Sequence, residues 1–270
     1  MPAIPSLPWP EPLEAGTMPI AFAAAFAGVM GATVGSFLNV VAYRLPRHQS
    51  LVYPGSRCPG CETAIKAYDN VPVLGWLALR GRCRNCKTAI SPRYPVIEAL
   101  TAALAVTVVL TKHSAHEIVL GLVLIAVLVP VALIDLEHRI IPNKITLPAA
   151  VAAVAIGCAL DLRGLPEQLI AGAGAGGFLL FFLLAYPRGM GMGDVKLAGV
   201  LGLFLGWSVA VAILAGVLLG SVVGGLIMAR VGVEKGRKVA VPFGPFLALG
   251  GLIALFAGPA IVHWYLHAGL

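Results

Sequence analysis

Charge is what this chain has least of. Only 11% of its 270 residues are Asp, Glu, Lys or Arg, against 59% apolar residues, and the mean hydropathy is +0.92. Soluble domains carry roughly a quarter charged residues, so that class is excluded. Lys and Arg are missing from residues 1–17, which hold five Pro. A cleaved signal peptide wants a basic start before a short apolar core, so the first apolar run is expected to remain as a permanent span. Cysteine is scarce, five in all. Four form two Cys-x-x-Cys pairs, and the fifth, Cys158, lies in an apolar run and is expected to be a small buried hydrophobe.

What is present is a succession of apolar runs. A span needs about 20 such residues, and the pattern predicts spans near 18–42, 95–111, 117–135, 145–160, 167–186, 194–206, 208–229 and 243–266. The fold class is therefore an all-α polytopic membrane protein of about eight transmembrane helices. Val195 to Met228 is the ambiguous part, too long for one upright helix and barely enough for two joined at Gly206-Trp207-Ser208. Charge resolves it, because short cytoplasmic loops collect Lys and Arg. Eight spans with both termini outside put 17 of the 19 basic residues on the cytoplasmic side, all except Lys112 and Arg163. A single span over that segment would throw Arg230, Lys235, Arg237 and Lys238 outside. The net charge of +7 is thus a matter of topology and gives no reason to infer nucleic acid.

The expected organisation is an outside N-terminus with the first span (1–42), a small cytoplasmic loop domain (43–94) and a membrane core of seven spans (95–270). The loop holds Cys58-Pro59-Gly60-Cys61 and, after 21 intervening residues, Cys83-Arg84-Asn85-Cys86. Two such pairs offer four thiolates to one tetrahedral ion, which predicts a structural zinc site of the zinc-ribbon kind. Disulfides are the alternative, and a reducing cytoplasm disfavours them. So short a loop buries little core, so the metal is expected to hold it folded. Arg80, Arg82, Arg84 and Lys87 around the second pair are read as ordinary positive-inside charges, with phosphate or acidic lipid as the other reading.

Two carboxylates stand where charge is costly. Asp135 ends the apolar run from Val119 to Ile134, and Asp194 follows Gly189-Met190-Gly191-Met192-Gly193. An ionisable group in a membrane segment is a functional candidate by default. The span count brings both to the cytoplasmic boundary. An aspartic protease needs such a pair sharing a proton, one carboxylate activating water and the other polarising the scissile carbonyl. Gly191 and Gly193 let backbone approach a substrate closely, and Lys196 is read as a snorkelling or substrate-facing cation. The competing readings are an N-cap for Asp194 and a boundary residue paired with Arg139 for Asp135, with Glu137 as rival for its role. Gly172-Ala-Gly174-Ala-Gly176-Gly177 matches a dinucleotide pattern but has no strand before it, and is read as close helix packing.

Read together, these motifs resemble the type IV prepilin peptidases, polytopic aspartic proteases of the Gly-x-Gly-Asp kind. The resemblance rests on Gly35-Ser36-Phe37-Leu38-Asn39, Tyr43-Arg44-Leu45-Pro46, the cysteine pairs, and Ser91-Pro92-Arg93-Tyr94-Pro95 leading to Glu98. It continues through Asp135 to Asn143, Gly191-Met192-Gly193-Asp194-Val195-Lys196 and Pro242-Phe243-Gly244-Pro245-Phe246. It implies that Asp135 and Asp194 are the catalytic pair and that the basic leader of prepilins or pseudopilins is cut at the cytoplasmic face of a bacterial inner membrane. It further implies that the new N-terminus is methylated with S-adenosylmethionine. Glu98 is the candidate for holding the substrate's α-amine, against a reading as a span-boundary residue. Two other classes fit the aspartates: a presenilin-like protease, which has no need of the cysteine loop, and a transporter using them as proton or cation sites.

Overall fold

In the computed structural model the residues described are 19–187, 190–232 and 241–267. Residues 1–17, Arg188, Gly189, Lys235, Arg237 and Lys238, which entered the topology reading, lie outside them. Among the described residues the long helices are α1 (Ile20–Arg44), α3 (Arg93–Thr111), α4 (Ala115–His138), α5 (Asn143–Leu160), α6 (Leu165–Ala185), α7 (Met192–Leu205), α8 (Val209–Val231) and α9 (Gly244–His267), with a five-residue α2 (Leu74–Ala78) in the loop. Their boundaries follow local chemistry. Ser114 and Glu117 form a capping box at the start of α4, and the helix ends where Arg139 turns left-handed. Pro142 precedes α5 and Pro166 opens α6.

Among the described residues seven helical stretches are long and apolar enough to cross a membrane, and one of these, Met192–Val231, has 40 residues. Straight, it would run about 60 Å, twice the hydrocarbon thickness. It is instead bent at Gly206–Ser208, a short 3₁₀ turn in which Gly206 has a φ of 55°. Contacts on α9 show the reversal. Gly251 of α9 lies against Leu201 of α7, and Gly258 against Ser208. On α8, Gly216 meets Leu247 and Gly220 meets Phe246. So α7 runs parallel to α9 and α8 antiparallel to it, as two spans require.

Small residues set the packing, as expected where lipid removes any hydrophobic drive between helices and close approach must supply the attraction. A Cβ on Gly202 of α7 would collide with the backbone of Ala171 on α6, and one on Gly172 would lie 2.9 Å from Leu203. Gly31 and Gly35 bring α1 against α3 at Ala102 and Glu98 in the same way. The central helix is α4, whose Leu124, Leu128, Val131 and Ile134 are almost fully buried. Cys158 differs from expectation. It is exposed on the outer face of α5, because that helix buries Thr146, Ala149, Ala153 and Gly157 and Cys158 lies off that stripe.

The two ends of the bundle are chemically distinct. At one end Arg47 contacts His138, Arg93 pairs with Glu137, and Lys196 bonds Asn143. At the other, Gln168 bonds His116, and Glu167 accepts from the Trp207 N–H. The loop from Leu45 to Pro92 belongs to the first end, joining α1 to α3.

Candidate active site and metal loop

Asp135 lies in the last turn of α4 and Asp194 in the first turn of α7, 5% and 8% exposed. They come from distant stretches of chain and line one cleft of about 480 Å³, together with Arg139, Ile141, Gly193 and Phe243. Each carboxylate accepts from a backbone N–H. The Gly244 N–H donates to Asp135 Oδ2 at 3.0 Å, and the Gly191 N–H to Asp194 Oδ2 at 3.1 Å. Gly244 is the first residue of α9 and Asp194 is the third of α7. Both acids therefore face the positive end of a helix, which favours negative charge there. Their remaining oxygen positions open toward the cleft.

The glycines are required by space. A Cβ on Gly244 would sit 2.5 Å from Asp135 Oδ2, and one on Gly193 would sit 2.9 Å from Ile141 Cβ. In the sequence Gly244 stands out only as part of Pro242-Phe243-Gly244-Pro245-Phe246. Its role as the donor to Asp135 is visible only in three dimensions, although a glycine between Phe243 and Pro245 signals a backbone N–H in an unusual setting.

The four loop cysteines converge. Their sulfurs lie within 4.8 Å of one another, with Cys58 Sγ 3.6 Å from Cys86 Sγ and Cys61 Sγ 4.0 Å from Cys83 Sγ. These are not disulfide lengths. Four sulfurs at about 2.3 Å from a tetrahedral ion are roughly 3.8 Å apart, so the spacing fits a metal centre. The two knuckles are built alike. Arg57 bridges Ala64 and Arg82 bridges Ala89, Cys58 N–H donates to Thr63 O and Cys83 N–H to Thr88 O, and Glu62 and Lys87 take the same positive φ. The sequence signal was an unread repeat, Arg-Cys-x-x-Cys-x-Thr-Ala-Ile, at 57–65 and 82–90. Hydrogen bonds from Thr63 bring the Cys61 thiol down to about 6, and Thr88 lowers Cys86 in the same way. Both shifts favour the thiolate, the form that ligates metal.

Two family models match this chain. The model of the bacterial peptidase A24 N-terminal domain matches residues 29–112, and that of the type IV leader peptidase family matches residues 122–229. The chain is 38% identical over 266 residues to the prepilin leader peptidase/N-methyltransferase of Aeromonas salmonicida (strain A449), covering 86% of this chain and 90% of that one. The chain belongs to the type IV leader peptidase family. Other relatives with the same name come from Myxococcus xanthus (strain DK1622), 42% identical over 77% of this chain and 64% of the relative, and from Legionella pneumophila, 33% identical over 88% and 93%. No solved structure matches this family member.

The remaining candidates of this leader peptidase relative fall away from the cleft. Lys196 is exposed and donates to Asn143 Oδ1 at 2.9 Å. Glu137, the rival of Asp135, is partly exposed and paired with Arg93, so it is not part of the buried pair. Glu98 is buried, 6% exposed, and its Oε2 accepts from the Val73 N–H at 2.7 Å. Val73 occupies a γ-turn with φ 61°, closed by Leu74 N–H to Pro72 O, a strained conformation for a β-branched residue. Asn39 donates to Gly35 O within α1 and ties α1 to α3 through Tyr94 O. The motifs at 35–39 and 91–98 thus anchor the loop to the bundle.

Proposed function

We propose that this protein is an intramembrane aspartic endopeptidase that removes the basic leader of type IV prepilins and pseudopilins, and that it N-methylates the new terminus. The peptidase and methyltransferase activities are those named for its relatives. The observation that carries the chemistry is the meeting of two buried carboxylates in one cleft at the same end of the bundle. Asp135 and Asp194 there handle one proton as a unit: the ionised member takes a proton from water as it attacks, and the protonated member donates to the scissile carbonyl oxygen. The Gly244 and Gly191 N–H groups orient the carboxylates. Gly193 keeps the cleft wall low enough for an extended peptide, and Lys196, bonded to Asn143, lies outside the cleft lining. A substrate that is itself a membrane helix meets this site by presenting the segment just before its apolar run.

The orientation belongs to the same proposal. Arg44, Arg47, Arg93, Arg139 and Lys196 gather at the Asp135 end, while Lys112 and Arg163 are at the other, which supports an active site facing the cytoplasm of a bacterial inner membrane with both termini outside. We divide the chain at 43–94 for the loop and 95–270 for the membrane core. Cys58, Cys61, Cys83 and Cys86 would hold zinc, which supplies structural cross-linking to a loop with little core. S-adenosylmethionine would supply the methyl group. Neither the aspartate cleft nor the cleft beside Cys83 is lined by Glu98, so methyl transfer rests on the relatives and no step is derived for it. Glu98 is kept as the candidate for the substrate's amine and tested by Glu98→Gln, which retains an oxygen for the Val73 N–H while removing the charge. Methylation lost with cleavage intact supports that role, and both activities intact removes it.

The deciding experiment incubates purified protein with a prepilin and S-adenosylmethionine and reads the product's N-terminus by mass spectrometry. A leaderless chain carrying one added methyl is expected. Intact prepilin, together with proton-coupled uptake in vesicles, would overturn the reading in favour of a transporter.

A further inference from the structure

The second cysteine knuckle carries a cationic cleft that the aspartate chemistry does not use. It measures about 600 Å³ and is lined by Leu79, Arg80, Arg82, Cys83, Arg84 and Lys87. Arg84 is spent on Asp69, which it grips with two nitrogens at 2.6 and 2.9 Å. Arg80, Arg82 and Lys87 are exposed and form no ion pair among the described residues. Three unneutralised cations around one concavity attract an anion.

The position of this cleft says which anion. Helix α2 leads directly into it, and Val73, the residue before α2, donates to Glu98. Glu98 is the sixth residue of the membrane-crossing helix α3, about 8 Å along it. The start of α2 is therefore held at the depth where a span enters the headgroup layer. Two leucines of α2 point away from the protein, Leu74 being 64% and Leu77 56% exposed. They are i, i+3 neighbours on one face. The other face is fixed inward: Trp76 Nε1–H donates to Ile90 O at 3.0 Å, and the Trp76 ring covers Gly81. Arg80 and Gly81, both at positive φ, then turn the chain straight into the knuckle. Exposed leucines followed within a few residues by unpaired cations, at headgroup depth, form an interfacial membrane contact.

We propose that α2 and the Arg80/Arg82/Lys87 cleft dock the metal loop onto the bilayer, the leucines entering the interface and the cations binding the phosphates of anionic phospholipids. Docking holds the loop at a fixed height over the end of the bundle that contains the aspartate cleft. The inference rests on the membrane reading of α3, and in the cell on the orientation above, since the cytoplasmic leaflet is the negative one.

The test is hydrogen exchange of the full-length protein in nanodiscs of zwitterionic lipid, and in discs carrying about one third anionic phospholipid. Discs with the same lipid in both leaflets remove any dependence on orientation, and prepilin cleavage, assayed separately on zwitterionic discs, reports on the proposed function independently. Each unpaired basic residue near a charged surface is worth roughly fivefold in affinity, so the three together contribute on the order of a hundredfold. The amides of residues 74–87 should exchange at least about tenfold more slowly on anionic discs. High salt should abolish the difference, as should the triple variant Arg80→Gln, Arg82→Gln, Lys87→Gln, whose metal content shows whether the knuckles remain folded. The variant Leu74→Ser, Leu77→Ser supplies an independent route and should also reduce the protection. Equal exchange on the two kinds of disc, or protection that survives the triple variant, overturns the proposal. Inorganic phosphate that reproduces the protection on zwitterionic discs also overturns it, by reassigning the cleft to a free anion.

Discussion

Gly244→Ala separates the proposed chemistry from stability more cleanly than removal of an aspartate. A methyl group at this position would lie 2.5 Å from Asp135 Oδ2, 3.0 Å from its Cγ and 3.2 Å from Ile141 Cδ1. The carboxylate must swing away, which breaks the 3.0 Å bond from the Gly244 N–H and shifts Asp135 within the cleft it shares with Asp194. A hydrogen bond to a charged group is worth about 1.5–3 kcal/mol, which corresponds to roughly a 10- to 150-fold loss in rate. The backbone itself raises no objection: Gly244 is not among the positive-φ glycines, and at the first residue of a helix the interior preference for alanine, about 1 kcal/mol, is only partly felt. The variant should therefore cleave a prepilin with kcat/KM lowered by one to two orders of magnitude, while its thermal unfolding in detergent is unchanged or slightly later. A variant that keeps kcat/KM within about twofold of the parent would refute the claim that this donor positions Asp135.

Asp135→Asn and Asp194→Asn should each remove cleavage by at least on the order of 10²–10⁴-fold while leaving the protein folded; peptide mass spectrometry and unfolding curves check the two halves of that statement. Glu137→Gln breaks the partly exposed pair with Arg93 and the 3.8 Å contact with His138, so stability should change by no more than about 1 kcal/mol and cleavage should persist, an outcome that tells Glu137 apart from Asp135. Cys83→Ser should lower metal content, measured by elemental analysis. It should also expose residues 45–92 to limited proteolysis before the membrane helices unfold.

Much of this protein could be read from order and spacing. The run from Val119 to Asp135 and the Gly-x-Gly before Asp194 were sufficient to nominate two carboxylates. The imbalance of 17 basic residues to 2 was sufficient to divide Val195–Met228 into two spans, and the turn at Gly206 shows that division. The paired cysteines required no tertiary information either, since four thiolates in one short loop have few other uses. The repeat at 57–65 and 82–90 was equally visible, but its meaning, two superimposable knuckles with Thr63 and Thr88 serving the same sulfur positions, emerges only when hydrogen bonds are drawn.

The sequence by itself determined the class, a helical membrane protein, because apolar runs of about 20 residues leave the backbone no stable alternative in lipid. It also determined the candidate acids and the candidate metal ligands, because charge in a span and Cys-x-x-Cys pairs are local patterns. Tertiary structure decided what touches these groups. Gly244, 109 residues from Asp135 along the chain, supplies its donor; Glu137, two residues away, belongs instead to Arg93; and Cys158 faces outward. Burial and hydrogen-bond partnership depend on which helix faces pack together, and that is settled by close contacts among glycines and alanines on α6, α7, α8 and α9 that no single apolar run specifies.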